Sequence, residues 1–498
     1  MEKTFCVTTP IYYINGEPHI GHTYANIAAD IMARFKRLDG FHVHFSTGTD
    51  EHGIKVARSA EKAGIDVQKF SDIMSQKFRD IANKVKISYD DFIRTTEARH
   101  IKSAQAFWEL IEKDIYVDYY SGWYSARDEE YVAKEDIIDG KAPSGAPVEW
   151  MEEESYFFRL SKYQEPLLKY YDEHPDFISP ISRRNEIISF VKSGLKDLSI
   201  SRSQFSWGIP VPKTEKHVMY VWIDALTNYI TSMGFPNDPK HVCEMMSECI
   251  HIVGKEILRF HAVYWPAFLM SAGLALPKKI FAHGWWTSEG QKMSKSLGNV
   301  VDPAKIIEKY GLDQVRYFLF REVTFGEDGD FSEEALRNRI AYDLANDLGN
   351  LVQRVLAFIQ KIGGNLTVNY NFSENELELF KNSRSLIDQI RPMMDAQNFS
   401  GALNSIWNLV SKTNKFVNDV RPWELVKDPS KIDRLNAALT VLCESIRAIA
   451  FGIAPFMPDI AAKIFSFLNV EGKNFRELQS NILSQSLPAP VMLFPKDK

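Results

Sequence analysis

Along the first sixty or so residues, apolar runs alternate with stretches whose apolar positions recur every three or four residues. Thr4 to Thr8 is a short, nearly unbroken run of the kind that forms a strand buried on both faces. Asn15-Gly16-Glu17-Pro18 interrupts it as a turn, with Pro18 suited to a first helical position. Ile20, Ile27, Ile31, Phe35 and Leu38 then follow the spacing of a core-facing helix. His42 to Ser46 reads as a second strand, Thr47-Gly48-Thr49-Asp50-Glu51-His52-Gly53 as its exit loop, and Ile54 to Ala63 as another helix. This alternation predicts a parallel sheet with helices on its faces.

From about Ile115 to Lys216 the alternation fails, in a stretch rich in Tyr and Glu with a Gly-containing turn at 140–145. We read an inserted subdomain there. The α/β pattern resumes at His217-Val218-Met219-Tyr220-Val221-Trp222 and again at Cys249-Ile250-His251-Ile252-Val253-Gly254. Beyond about Glu333 strand signals fade. Leu344, Leu348, Leu351, Val355 and Phe358 share a helical face ending near Gly363-Gly364, and Ser373 with Glu376 forms a capping-box pattern. Helical runs cover Phe399–Val420, Ile432–Ile453 and Asp459–Leu468. The expected architecture is a Rossmann-type doubly wound parallel sheet split by an insertion and followed by an all-α bundle. Its expected parts are 1–114, the first half of the sheet domain; 115–216, the insertion; 217–300, the second half; 301–335, a linking segment; and 336–498, the bundle.

Composition bounds the function rather than choosing it. A chain of 498 residues needs more than one core, and 45% hydrophobic with 25% charged residues is ordinary for a globular enzyme. A net charge of -6 gives no general attraction to nucleic acid, so any RNA contact must be local. The four cysteines are scattered, and only Cys243 and Cys249 lie close together, without a second pair to complete a zinc site. No uninterrupted apolar run reaches the roughly 18 residues of a membrane span, and strand residues begin almost at the N-terminus, leaving no room for a leader. We expect a cytoplasmic protein.

In doubly wound sheets ligands bind beyond the carboxyl ends of the strands, where His19, His22 and Asp50 fall. His19 and His22, three apart, point one way at a helix start whose N–H groups and dipole suit phosphate. A metal role would need a third ligand that the sequence does not place. Gly21 between them allows close approach of a flat ring. Lys292 and Lys295 sit in Lys292-Met293-Ser294-Lys295-Ser296, a loop able to bring ammonium groups to developing negative charge. Each motif alone is weak, but together and in this order they are specific.

His19-Ile20-Gly21-His22 and Lys292-Met293-Ser294-Lys295-Ser296 match the two signatures of the class I aminoacyl-tRNA synthetases without a substitution. Further stretches resemble the methionyl-tRNA synthetases among them. They include Thr9-Pro10-Ile11-Tyr12-Tyr13, Thr47 to Gly53, Tyr220 to Leu226, Gly254-Lys255-Glu256-Ile257, Phe260-His261, Trp265-Pro266 and Arg421-Pro422-Trp423. The resemblance spans the chain. It implies activation of methionine with ATP and Mg²⁺, then transfer to the terminal adenosine of tRNA(Met). It implies catalytic roles for His19, His22, Lys292, Lys295 and Arg202, and ATP contacts at Gly21, Gly254, Glu256 and Lys295. Asp50 would pair with the substrate's α-ammonium. Ile11, Tyr13, Trp222, Leu226, Tyr229, Ile257, Phe260, His261 and Trp265 would surround its side chain. Ile257, His261 and Trp265 follow i, i+4, i+8, and aromatic rings suit a polarizable thioether. Asn350, Arg354 and Trp423 would read the anticodon by edge hydrogen bonds and stacking.

Many members of the family carry paired-cysteine zinc knuckles in the inserted subdomain, whereas Gly122 to Lys162 contains no cysteine. We therefore expect no structural zinc and no protein-bound metal. The chain ends soon after its last helix, so we expect a monomer without the family's C-terminal appendage. Leucine, isoleucine and valine enzymes carry a far larger insertion than this length allows. Because one methylene is worth only about 1–3 kcal/mol, homocysteine should also enter the pocket and need rejection.

Overall fold

The sheet at the centre of the fold follows from strands with almost no exposed face. In the computed structural model, which describes residues 3–125, 127, 130–288, 290–292 and 301–495, Thr4–Tyr13 (β1) is buried at nearly every position. It runs beside His42–Asp50 (β2), Asp91–Arg94 (β3), Ile178–Ser179 (β4), Cys249–Gly254 (β5) and Lys279–His283 (β6) in the spatial order β3-β2-β1-β5-β6-β4. The β1–β5, β5–β6, β6–β4 and β2–β3 pairings are parallel. The chain winds outward from β1 through β2 to β3, then from β5 to β6 on the other side. The order therefore reverses between β1 and β5, whose carboxyl ends frame the crevice where such sheets bind ligands.

The chain divides into two compact units, and most of this sheet lies in the one built from Thr4–Ala29 and His44–His283. Its core unites the sheet with the helices Ala98–Ile111, Val221–Ser232 and Trp265–Ala272, through Phe107, Trp108, Ile223, Tyr229, Trp265 and Phe268. At Gly48 an added Cβ would lie 2.0 Å from the Ile93 carbonyl oxygen, so β2 and β3 approach at a distance only glycine permits.

The inserted stretch forms an antiparallel hairpin, Ile115–Ser125 against Glu149–Phe158, in register from Ile115↔Phe158 to Tyr124↔Glu149. Its far end is packed by Val132, Ala142, Ala146 and Val148, with Trp123 edge-on to Trp150. Two features differ from the sequence reading. Ile178–Ser179, within the stretch read as insertion, is the edge strand of the main sheet. The run from His217 does not rejoin that sheet: Val218–Met219 pairs with Ser201–Arg202, and a helix begins at Val221. Two residues of ladder are too little signal to separate from a longer buried strand in sequence.

The other unit, Asp30–Val43 with Gly284 onward and the N-terminal residues, is chiefly helical. Glu374–Asp395 starts at the expected Ser373/Glu376 capping box and packs with Phe399–Val420 around Ile432–Ile453. That last helix is long and apolar enough to cross a membrane by composition, but 94% of the relevant window is buried, so it is the bundle's core. Arg316 and Asp30 form a fully buried ion pair at 2.6 Å, and Arg316 also donates to the Pro455 and Phe456 carbonyls. A buried pair is tolerable only when its remaining donors are satisfied in this way. The helix through Leu344 winds with π-type hydrogen bonds over Ile340–Gly349 before Asn350–Lys361. This shifts the apolar stripe, so Leu351 and Val355 stay buried while Phe358 is half-buried and Leu356 and Ile359 take inner positions.

Candidate functional site

His19 and His22 stand just beyond β1, at the start of the Ile20–Leu38 helix. Their rings stack at 3.7 Å between centroids. The His19 N–H donates to His22 Nδ1 at 3.2 Å, and the Gly21 N–H donates to His19 Nδ1 at 3.1 Å. Because each Nδ1 accepts, each neutral ring carries its proton on Nε2. The pair is thus set as two Nε2–H donors, supported behind His22 by Tyr12 and Phe78. Gly21 matters sterically: a Cβ there would lie 3.0 Å from His19 Cε1.

Beyond β5, the chain turns through Lys255–Ile257 and a π-type wind at Phe260–Tyr264 into Trp265–Ala272. The expected one-face spacing of Ile257, His261 and Trp265 is therefore carried by a helix that changes its winding. Trp222 stacks flat on Phe260 at 3.7 Å, with His261 edge-on to it. Tyr229 lies against His251, His261 and Trp265. His261 Nδ1 is 2.9 Å from the Ile257 carbonyl, which can only accept, so Nδ1 carries the proton. Burial pushes the His261 pKa down to about 4, leaving a neutral ring whose Nε2 accepts from the Tyr229 hydroxyl at 2.7 Å.

His251, on β5 opposite Thr8 of β1, completes this stack and was not singled out from the sequence. Burial, reinforced by His261, holds its pKa far below the ordinary histidine value. Trp265 Nε1 donates to His251 Nε2 at 3.3 Å, so Nδ1–H faces the Thr8 hydroxyl at 2.7 Å. The available signal was a histidine inside an otherwise apolar strand. Trp265 is fully buried and also packs on Phe107. Leu226 and Ile11 are buried, Tyr13 and Ile257 half-buried.

These buried neutral rings make stability pH-dependent. His261 binds a proton less readily folded than unfolded, so the unfolded chain holds more protons between pH about 4 and the ordinary 6.5. Stability is complete above that window and falls as pH drops through it, by on the order of 3 kcal/mol for this one ring. Thermal unfolding followed from pH about 7 to about 4.5 should show a steadily falling Tm. A flat profile would contradict the neutral-ring assignment.

Asp50 closes β2 and is buried, and its carbonyl accepts from the Ile14 N–H at 3.3 Å. The next residue, Glu51, is clamped by Arg94 through two bonds of 2.7 and 2.9 Å and by the Thr49 and Thr96 hydroxyls. Gly254 ends β5, and a Cβ there would meet the Glu256 carboxylate at 2.5 Å, so Glu256 folds back over that glycine. Arg202 is 4% exposed; it donates to Ser199 Oγ and the Ser201 carbonyl and lies over the Tyr220 ring at 4.5 Å. It stands beside the start of the Trp222 helix.

Of the lysine motif, Lys292 lies in a short strand paired with Thr287, and Lys295 falls outside the described residues. In the helical unit, Asn350 is exposed at the start of its helix. Arg354 donates to Asn418 at 2.8 Å and lies 5.7 Å over Trp423, which is 38% exposed. Arg421, in the left-handed region at φ 47°, makes the sharp turn that presents Pro422 and Trp423. The structure thus gathers the two histidines, Asp50 and the aromatic group in one unit and places the Asn350–Arg354–Trp423 set in the other.

Two family models match. One, described as tRNA synthetases class I (M), covers residues 5–147 and 134–356, and the other, the anticodon binding domain of methionyl tRNA ligase, covers 368–496. The methionine–tRNA ligase of Rickettsia conorii is 49% identical over the full length of both chains. That of Brucella suis is 50% identical over 99% of this chain and 98% of its own. The Mycobacterium tuberculosis methionyl-tRNA synthetase in complex with methionyl-adenylate superposes with a TM-score of 0.96 at 46% identity, covering 99% of this chain and all of that one.

Proposed function

The chain belongs to the methionyl-tRNA synthetases of class I, and from that premise we propose how its residues divide the work of ligating methionine to tRNA. In the first step a methionine carboxylate oxygen bonds to the α-phosphorus of ATP, taken as its Mg²⁺ complex. The bond from that phosphorus to the bridging oxygen breaks, and pyrophosphate leaves with the electron pair. In the second, a hydroxyl oxygen of the tRNA's terminal adenosine bonds to the acyl carbon. The bond from that carbon to the phosphate oxygen breaks, and AMP leaves with the electron pair while the hydroxyl proton passes to the departing phosphate.

The attacking carboxylate is already anionic, so no general base is required. Positioning and charge stabilisation carry the step. His19 and His22 are assigned to the phosphates as Nε2–H donors, joined by Lys292 and Lys295, with Gly21, Gly254 and Glu256 along the nucleotide. Asp50 takes the α-ammonium. Trp222, Phe260, Tyr229 and His261 form the side-chain pocket with Ile11, Tyr13, Leu226, Ile257 and Trp265, and Arg202 steadies the start of the Trp222 helix beside Tyr220. The observation that carries this reading is the flanking of the sheet's reversal point, with the fixed histidine donors beyond β1 and the aromatic cluster beyond its neighbour β5.

Asn350, Arg354 and Trp423 are assigned to the anticodon, read from residues 336–498, and the enzyme is taken to act as a cytoplasmic monomer. Base stacking on an aromatic platform is worth about 1–3 kcal/mol. Trp423→Ala should therefore lower kcat/KM for tRNA roughly tenfold or more while leaving methionine-dependent pyrophosphate exchange unchanged. Equal losses in both assays would remove Trp423 from the anticodon site.

A further inference from the structure

Directly behind the pocket lies a buried charged cluster that the roles above do not use. Asp224 is fully buried on the Val221–Ser232 helix, the element carrying Trp222, Leu226 and Tyr229. Its Oδ2 is 2.7 Å from His52 Nδ1, and its Oδ1 is 2.8 Å from His100 Nε2. His52 follows Asp50 by two residues in the β2 exit loop, and His100 comes from the Ala98–Ile111 helix. One carboxylate therefore joins three elements, two of which carry methionine-facing groups.

On its other side His100 Nδ1 lies 3.1 Å from the Thr231 hydroxyl, which also bonds the Thr227 carbonyl at 3.0 Å. The carboxylate can only accept, so both rings donate to it. Burial opposes the charge on Asp224, but His52 and His100 outweigh it and hold the carboxyl below its usual range. His52 is fixed in turn: its ring lies edge-on to Trp207, whose indole donates to the Glu51 carbonyl at 2.7 Å. The Gly53 N–H closes the loop onto the Trp207 carbonyl at 3.1 Å. Both carboxylate oxygens are thus committed to directional, charge-assisted bonds, stronger than neutral ones.

We propose that Asp224 is a positioning residue for methionine, tying the loop that presents Asp50 to the helix that presents Trp222, Leu226 and Tyr229. Releasing the tie lets the ammonium partner and the side-chain wall shift relative to each other, while the nucleotide-facing residues beyond β1 keep their own hydrogen bonds. The inference rests on the assignment of Asp50 and the aromatic group to methionine.

The test is methionine-dependent pyrophosphate exchange by the full-length enzyme carrying Asp224→Asn, His52→Leu or His52→Asn. Asparagine at 224 offers one acceptor and one donor to two donating rings, whereas asparagine at 52 can restore a donor at the position of Nδ1. We expect Asp224→Asn and His52→Leu to raise KM for methionine about tenfold, to leave KM for ATP within about twofold, and His52→Asn to recover most of the loss. The inference is overturned if the methionine KM is unchanged, if both KM values rise together, or if the two His52 variants behave alike. If Asp224→Asn does not fold, the His52 pair alone decides. Failure of the underlying assignment would look different, because Asp50→Asn and Trp222→Ala would then leave the methionine KM unchanged.

Discussion

His22→Asn lowers methionine-dependent pyrophosphate exchange by about 10²–10³-fold, whereas His22→Gln retains a substantial part of the rate. The difference follows from the tautomer. Asparagine can replace Nδ1 as acceptor for the His19 N–H, but it presents nothing where Nε2–H stood. Glutamine reaches that outer position with an amide N–H. The helix start, the ring stack and the 3.2 Å bond from His19 all concern the inner nitrogen, so they explain orientation; the rate belongs to the outer one. Equal activity in the two variants would mean that His22 acts only in packing. Lys295→Ala should cost at least as much, since a preorganised charge donor of this kind is worth 10²–10³ in rate. Single-turnover formation of adenylate separates these losses from any change in substrate affinity.

Gly48→Ala is expected to unfold or severely destabilise the sheet unit. Its Cβ would fall 2.0 Å from the Ile93 carbonyl oxygen and within 2.9 Å of the Ile93 nitrogen, all of it backbone in a neighbouring strand that cannot swing aside. Relief requires β2 and β3 to part at the ladder step two residues from Asp50. Changes of this type belong to the rare class that cost more than about 4 kcal/mol. We expect either insoluble protein or a melting transition lowered on the order of 10 °C or more. A variant with normal Tm and normal exchange would show that the strands can separate there without penalty.

How much of this could be read from the sequence depended on how local each signal was. The Ile54–Ala63 helix, the Ser373/Glu376 capping box and the Gly363-Gly364 stop rest on neighbours in the chain, and they stand where the sequence put them. The strand at Ile178–Ser179 was not legible, because two residues carry no periodicity and their place is fixed by pairing with Ile280 and Phe281 a hundred residues on. The motif histidines declared themselves by spacing, but their protonation did not. That required the Gly21 and His19 amides to be seen donating to Nδ1. The same holds for His251, His52, His100 and Asp224. His251 shows in sequence only as a histidine in an apolar strand. It takes the register of β1 with β5 and the packing of two helices to set it against Thr8 and Trp265 and to join His52, His100 and Asp224 in a second group. The Phe358 position shows the reverse failure, where a clean 3.6-residue pattern was shifted by π-type winding upstream.

The central claim is that this pocket selects methionine for adenylation, and the most direct measurement is ATP–pyrophosphate exchange with each of the proteinogenic amino acids supplied singly. Saturable exchange with methionine, and none with the others at comparable concentration, is the result expected if Tyr229, His261, Trp222 and Phe260 receive the side chain and Asp50 the α-ammonium. Exchange supported by another amino acid as well as or better than by methionine would contradict it.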